Sequence, residues 1–193
     1  MKRYTLATVA SLATLAAAPF AQADDQPGFL DRARTELSDT WRLGNTEYYA
    51  TFRTWHMPFA YSEDKNKEYQ NWPPGFGLGR GYYDAKGDWH GVYAMGFQDS
   101  HFKPEWVAGY GWKTHWNVYG DLKVGLGYTA GITTRTDIGH YTPIPMLLPL
   151  VSADYGKLSI EGAYVPGGKG FGNVLLIWAK WRTDSKSLLG WTP

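Results

Sequence analysis

His56, Asp99 and Ser100 are residues whose types together could carry acyl chemistry. A neutral imidazole takes a proton from a hydroxyl near neutral pH. An acid orients such a ring, and a serine hydroxyl attacks a carbonyl or donates to an oxyanion. Residue type alone does not single these three out, because the chain has 5 His and many Asp and Ser. It has no Gly-x-Ser-x-Gly elbow, no zinc-type histidine pair and no phosphate loop. What joins the three is position, which depends on the elements that carry them.

The clearest element is residues 121 to 135, DLKVGLGYTAGITTR. Leu122, Val124, Leu126, Tyr128, Ala130 and Ile132 share one parity. Lys123, Gly125, Gly127, Thr129, Gly131, Thr133 and Arg135 share the other. A strand sends alternate side chains to opposite faces. One face is therefore apolar and the other small, polar or charged, as expected of a barrel strand with lipid outside and a narrow polar interior. The pattern recurs and predicts eight strands, at about Tyr48–Tyr61, Gly75–Tyr83, Trp89–Asp99, Trp106–Trp116, Leu122–Arg135, Ile144–Asp154, Leu158–Val165 and Asn173–Arg182. An even number closes without free edges. Before them, Leu30, Ala33, Leu37 and Trp41 recur at helical spacing, predicting an amphipathic helix over Phe29 to Trp41.

The connections alternate in length. Ser62–Pro74, Ser100–Glu105, Thr136–Pro143 and Pro166–Gly172 are long; Asp84–Asp88, Asn117–Asp121 and Tyr155–Lys157 are short. Outer-membrane barrels have long external loops and short periplasmic turns. With a periplasmic helix, strands one and three run outward. His56, Asp99 and Ser100 then meet at the external rim.

Composition agrees. Ten Trp, 14 Tyr and 23 Gly are many for 193 residues, and amphipathic aromatics gather at membrane–water interfaces. Lys2 and Arg3, an Ala-rich apolar run and Ala21-Gln22-Ala23 form a secretory signal over residues 1–23. Its removal takes two positive charges and leaves a net charge of −1 in place of +1. That balance gives no reason to expect nucleic acid as a partner. With no cysteine, an exported chain is not held by disulfides. The expected organisation is signal 1–23, barrel domain 24–182 and tail 183–193, the tail read as short and disordered.

Glycine weakens a strand unless something requires it. Gly75, Gly77, Gly79 and Gly81, all on one face, would suit an interior that holds a linear guest. Pro143, Pro145, Pro149 and Pro166 sit in or beside strands six and seven. Proline removes a ladder donor, so a lateral gap in the wall is expected there.

Several blocks carry a resemblance: TWHMPFAY (54–61), GFGLGR (75–80), GDWHGVYAMGFQDS (87–100), AGYGW (108–112), GLGYTAG (125–131), PIPMLLPL (143–150) and VPGGKGFGNV (165–174). Over about Phe29 to Trp181 the chain resembles the outer-membrane lipid A palmitoyltransferases, the PagP family. The resemblance implies an eight-stranded antiparallel barrel with an N-terminal helix. It also implies transfer of palmitoyl from the sn-1 position of a phospholipid to the hydroxyl of lipid A's N-linked hydroxyacyl chain, without metal or soluble cofactor. By it His56, Asp99 and Ser100 are essential; the mechanism expected from their chemistry has His56, oriented by Asp99, deprotonate the lipid A hydroxyl or activate Ser100. Gly111 is the floor of the acyl pocket, Pro149 and Pro166 flank a lateral gate, and Lys65 belongs to lipopolysaccharide recognition. Thr51 replaces a family proline at a second window, and Lys169 replaces a tyrosine linked to phospholipid gating. The partners implied are a phospholipid donor, a lipid A acceptor and the outer membrane, as monomer or homodimer. A lipid-binding barrel without activity and an outer-membrane lipid hydrolase remain the alternatives.

Overall fold

The computed structural model describes residues 28–136, 139–168 and 172–187. The signal, residues 1–23, and Lys169 lie outside them. Eight antiparallel strands close into one barrel in chain order. They are β1 (Asn45–His56), β2 (Gly75–Tyr83), β3 (Trp89–Gln98), β4 (Pro104–Tyr119), β5 (Leu122–Thr134), β6 (Ile144–Tyr155), β7 (Leu158–Val165) and β8 (Val174–Arg182). Helix α1 (Phe29–Leu43) precedes them, and a short helix α2 (Glu63–Lys67), not expected from the sequence, lies between β1 and β2.

Alternation behaves as expected. In β5 Gly125 and Thr129 are buried, whereas Val124, Leu126, Tyr128 and Ile132 face out. In β2 Gly77, Gly79 and Gly81 face in, where neighbours leave no room for a side chain. A Cβ at Gly79 would fall 2.4 Å from the Val92 carbonyl oxygen, and one at Gly81 2.5 Å from Trp89 Nε1. Exposed Trp55 and Trp106 lie near one end, and exposed Trp116, Tyr119, Tyr155 and Trp181 near the other. Leu126, Leu147, Val151 and Ile160 form the apolar outer surface between them. Aromatic girdles around an apolar band suit a membrane-spanning barrel.

Strand limits differ from expectation chiefly in β1, which begins at Asn45 rather than Tyr48, and in β4, which begins at Pro104 rather than Trp106. β1 stops at His56 rather than Tyr61, because Pro58 cannot supply a ladder donor and the Met57 amide donates instead to Asn173 O at 3.0 Å. β4 runs on to Tyr119, past a bulge between Asn117 and Tyr119. The beginning of the tail is also tied down: Thr46 N donates to Ser185 O at 2.7 Å and Thr183 N to Thr46 O at 2.9 Å.

α1 lies against β2 and β3 at the end of the barrel opposite His56. Tyr82 Oη donates to Glu36 Oε1 at 3.2 Å, and His90 Nδ1 lies 2.6 Å from the same oxygen. Arg80 donates to Gly44 O at 2.9 Å while its guanidinium covers the Trp41 ring. Phe29, Leu30 and Leu37 stay exposed, as on a helix that rests in a membrane interface.

The interior is layered. Nearest α1 lies a charged layer of Glu47, Lys113, Asp154, Glu161 and Lys180, all buried. Glu161 pairs with Lys113 and, at 2.8 Å, with Lys180, and accepts from Trp178 Nε1 at 2.9 Å. Glu47 accepts from Tyr49 Oη at 2.7 Å and from Trp89 Nε1 at 3.0 Å. Pairing and hydrogen bonding make such burial tolerable. Above it sit Tyr49, Trp89 and Leu150, and above those the barrel is hollow.

Candidate active site

The hollow is a cavity of about 440 Å³, within the range of ligand pockets. Its walls are mostly apolar, from Met95, Phe97, Val107, Met146, Leu148 and Leu176, and its deep end is Tyr93, Thr129 and Trp178. Tyr93 Oη and Thr129 Oγ1, 2.5 Å apart, bridge β3 and β5 there. The charged layer beneath closes one end of the barrel, so the cavity is blind there and opens toward the other end. That end carries His56, Asp99 and Ser100, all three in its wall.

A bulge brings His56 inward. Up to Thr51 the inward residues of β1 are odd-numbered: Glu47, Tyr49 and Thr51 are buried. Against β8 the register then shifts between Thr51 and Arg53. One extra residue in a strand reverses which parity faces in. Thr54 and His56 accordingly become the inward pair, while Phe52 and Trp55 face out. Unbroken alternation from Tyr49 would have sent His56 outside.

His56 Nε2 lies 3.1 Å from Ser100 Oγ. Its ring stacks on Tyr69 at 4.5 Å between centroids, tilted 13°, and meets the Tyr61 edge at 5.0 Å. Burial raises the pKa of the Tyr61 phenol above its ordinary value, and that neutral hydroxyl donates to Gly172 O at 2.6 Å. Ser100 is placed by a tight turn after β3. Asp99 Oδ1 accepts from His101 N and Lys103 N, each at 2.8 Å, and Phe102 N donates to Asp99 O at 3.1 Å.

The hydrogen-bond partner of the His56 ring on the side away from Ser100 is Asn71, where Asp99 was expected. His56 Nδ1 faces Asn71 Oδ1 at 3.0 Å. The Asp99 carboxylate caps its own turn, which keeps it occupied with backbone amides. Its Oδ2 is buried without a hydrogen-bond partner among the described residues. Asn71 was missed because it sits in an irregular loop with no spacing to mark it.

Gly111 pairs with Thr129 at the deep end of the cavity but is absent from the cavity wall, because the Trp89 ring and Leu150 lie against it. A Cβ there would fall 2.8 Å from Trp89 Cζ3 and 3.4 Å from Leu150 Cδ1. Lys65 is exposed on α2, its Nζ 5.9 Å from the Tyr61 ring centroid. The β6–β7 ladder runs only from Leu150↔Ala163 to Tyr155↔Leu158. Ile144–Pro149 therefore have no ladder partner on β7 among the described residues, and Pro149 and Pro166 lie exposed beside that gap. Met146, Leu148 and Pro166 belong to the cavity wall as well. On the other flank, Thr51 Oγ1 donates to Pro73 O at 2.9 Å and Thr54 N to Asn71 O at 2.9 Å. A proline at 51 could not make the first bond. No group of three His, Cys, Asp or Glu that could hold a metal occurs among the described residues.

A small closed barrel, banded for lipid, with a blind apolar cavity and a His–Ser pair at its mouth, suits a protein that acts on acyl chains. Residues 36–180 match the family model of the antimicrobial peptide resistance and lipid A acylation protein PagP, and the chain belongs to that family. It is 45% identical over 156 residues to the lipid A acyltransferase PagP of Laribacter hongkongensis, covering 81% of this chain and 75% of that protein. The protein of the same name from Musicola paradisiaca is 44% identical over 163 residues, covering 82% and 84%. That of Salmonella typhimurium is 38% identical over 185 residues, covering 94% and 96%.

Proposed function

We propose that this protein transfers a palmitoyl chain from the sn-1 position of a glycerophospholipid to the hydroxyl of lipid A's N-linked hydroxyacyl chain, in the outer membrane. The single observation that carries this is the His56–Ser100 pair, 3.1 Å apart, at the mouth of a blind cavity lined mostly by apolar side chains. A linear chain enters the cavity and leaves its ester carbonyl at the mouth. His56 Nε2 accepts the proton of the attacking hydroxyl as a new acyl–oxygen bond forms. The bond to the donor oxygen breaks, and the proton passes to that oxygen. The products are acylated lipid A and a lysophospholipid. Ser100 either forms the intermediate ester or donates to the oxyanion; both uses need its hydroxyl beside His56. Asp99 fixes the turn that presents Ser100.

The β6–β7 gap supports lateral passage of the donor chain, with Pro149 and Pro166 beside it; a part for Lys169 in donor entry rests on the family resemblance alone. On the β1–β2 side, loop hydrogen bonds from Thr51 and Thr54 oppose a second opening. Lys65, on the loop at the mouth, suits contact with acceptor phosphates. The apolar band and girdles support an outer-membrane location, with the signal removed and the helix end periplasmic.

Mass spectrometry of lipid A from cells with and without the gene tests this reading. A gain of one palmitoyl mass that depends on the gene and on Ser100 is expected. Unchanged lipid A in cells that hold the folded barrel would overturn it.

A further inference from the structure

We propose that Asn71 is the positioning residue that fixes which nitrogen of His56 is free to accept a proton. The inference rests on the proposed function only for its catalytic consequence; the tautomer itself follows from geometry.

The orientation of the Asn71 amide is set by its surroundings. Its Nδ2 lies 3.2 Å from Asn66 O and 3.3 Å from Tyr69 O. Both are carbonyl acceptors, so only the NH₂ group fits that side. Oδ1 must then be the atom that faces His56 Nδ1 at 3.0 Å. An amide oxygen can only accept, so Nδ1 carries the hydrogen. In the neutral ring Nε2 is left with its lone pair, and Nε2 is the nitrogen 3.1 Å from Ser100 Oγ. The assignment therefore runs from two backbone carbonyls, through one amide, to the proton acceptor.

Asn71 is anchored well enough for this. Its own carbonyl accepts from Thr54 N at 2.9 Å, two residues before His56 on the inward face of β1. Tyr69 both receives an Asn71 hydrogen bond through its carbonyl and stacks its ring on the imidazole. Ring plane and tautomer are thus set by the same short stretch of loop. Asn71 is not in the cavity wall, so its replacement leaves the acyl chain's own contacts in place. A neutral amide also holds the imidazolium less tightly than a carboxylate would.

Two measurements test the proposal. Nitrogen-15 NMR of the folded barrel, with His56 assigned from a His56→Gln control, reads the tautomer without any turnover. The wild type should show Nδ1 protonated and Nε2 bare, and Asn71→Ala should show a mixture. A wild-type ring protonated on Nε2, or an unchanged tautomer in Asn71→Ala, overturns the proposal. In transfer assays, Asn71→Ala should lower kcat at least tenfold with an unchanged KM for the phospholipid. Asn71→Asp keeps the Nδ1 acceptor and adds a charge, so it should retain more activity than Asn71→Ala. Because the base must be unprotonated, a carboxylate at 71 should move the rising limb of the kcat–pH profile to higher pH. The other titratable or charged groups around the ring are Tyr61, Tyr69, His101 and Arg53, with Asp99, Glu105 and Arg135 in the same cavity wall. All of these are unchanged between the variants. Wild-type kcat in Asn71→Ala overturns the catalytic consequence, whereas full activity in His56→Gln would overturn the proposed function and leave the tautomer result standing.

Discussion

Gly111→Met should shorten the acyl chain that the barrel prefers, although Gly111 does not touch the cavity. The new side chain begins 2.8 Å from Trp89 Cζ3 and 3.2 Å from Cη2. Carbon–carbon contact needs roughly 3.5–4.0 Å, so even the first atom forces the indole to move. Movement away from the cavity is opposed. Trp89 Nε1 donates to Glu47 at 3.0 Å, and Lys180 Nζ sits 3.7 Å from the ring centroid. The indole therefore yields toward Tyr93, and the floor rises. Methionine adds three further heavy atoms at about 1.5 Å per bond, enough to remove about two methylenes of depth. At about 0.8 kcal/mol for each buried methylene, palmitate loses about 1.6 kcal/mol relative to a chain two carbons shorter. That is more than tenfold in relative kcat/KM. The assay is transfer from phospholipids of graded acyl length to lipid A by the purified barrel, with folding checked by circular dichroism. A folded Gly111→Met protein that still prefers palmitate would refute the coupling of Gly111 to the floor through Trp89.

Ser100→Ala and His56→Ala should each lower transfer by about 10²–10⁴-fold while the unfolding midpoint stays near wild type; parallel loss of folding would make these residues structural. A protease site placed in the 62–74 loop should be cut in intact cells and one in the 84–88 turn should not, and the opposite result would invert the barrel. Glu161→Ala strands Lys113 and Lys180 in the interior and removes the acceptor of Trp178 Nε1. It should cost about 3–5 kcal/mol, read from urea unfolding in lipid vesicles, and a loss below about 1 kcal/mol would show that the charged layer bears little on stability.

Much of the barrel was visible in the chain because strand parity is a local property. Eight strands, the helix from Phe29 and the inward glycines of β2 all follow from alternation or helical spacing. The β6–β7 gap was legible because proline removes a donor wherever the strand runs. The bulge after Thr51 was not, because it depends on the pairing of β1 with β8. Yet it is what turns His56 inward. Asn71 was hidden for a related reason: its role comes from the fold of a loop, where no period applies. For Asp99 the residue type suggested an imidazole partner, but its two backbone bonds place it as the cap of the Ser100 turn. Gly111 kept its inward parity; parity could not show that the Trp89 ring lies across it and screens it from the cavity.

The central claim is that the His56–Ser100 pair transfers a palmitoyl chain rather than releasing or merely holding it. The most direct measurement supplies the purified barrel with phospholipid labelled in its sn-1 palmitoyl chain, together with lipid A. Label should appear in lipid A with one lysophospholipid formed per transfer, and Ser100→Ala should form neither. Label recovered as free fatty acid would make the protein a hydrolase. Intact donor in the presence of folded protein would make it a lipid-binding barrel, and either result contradicts the account.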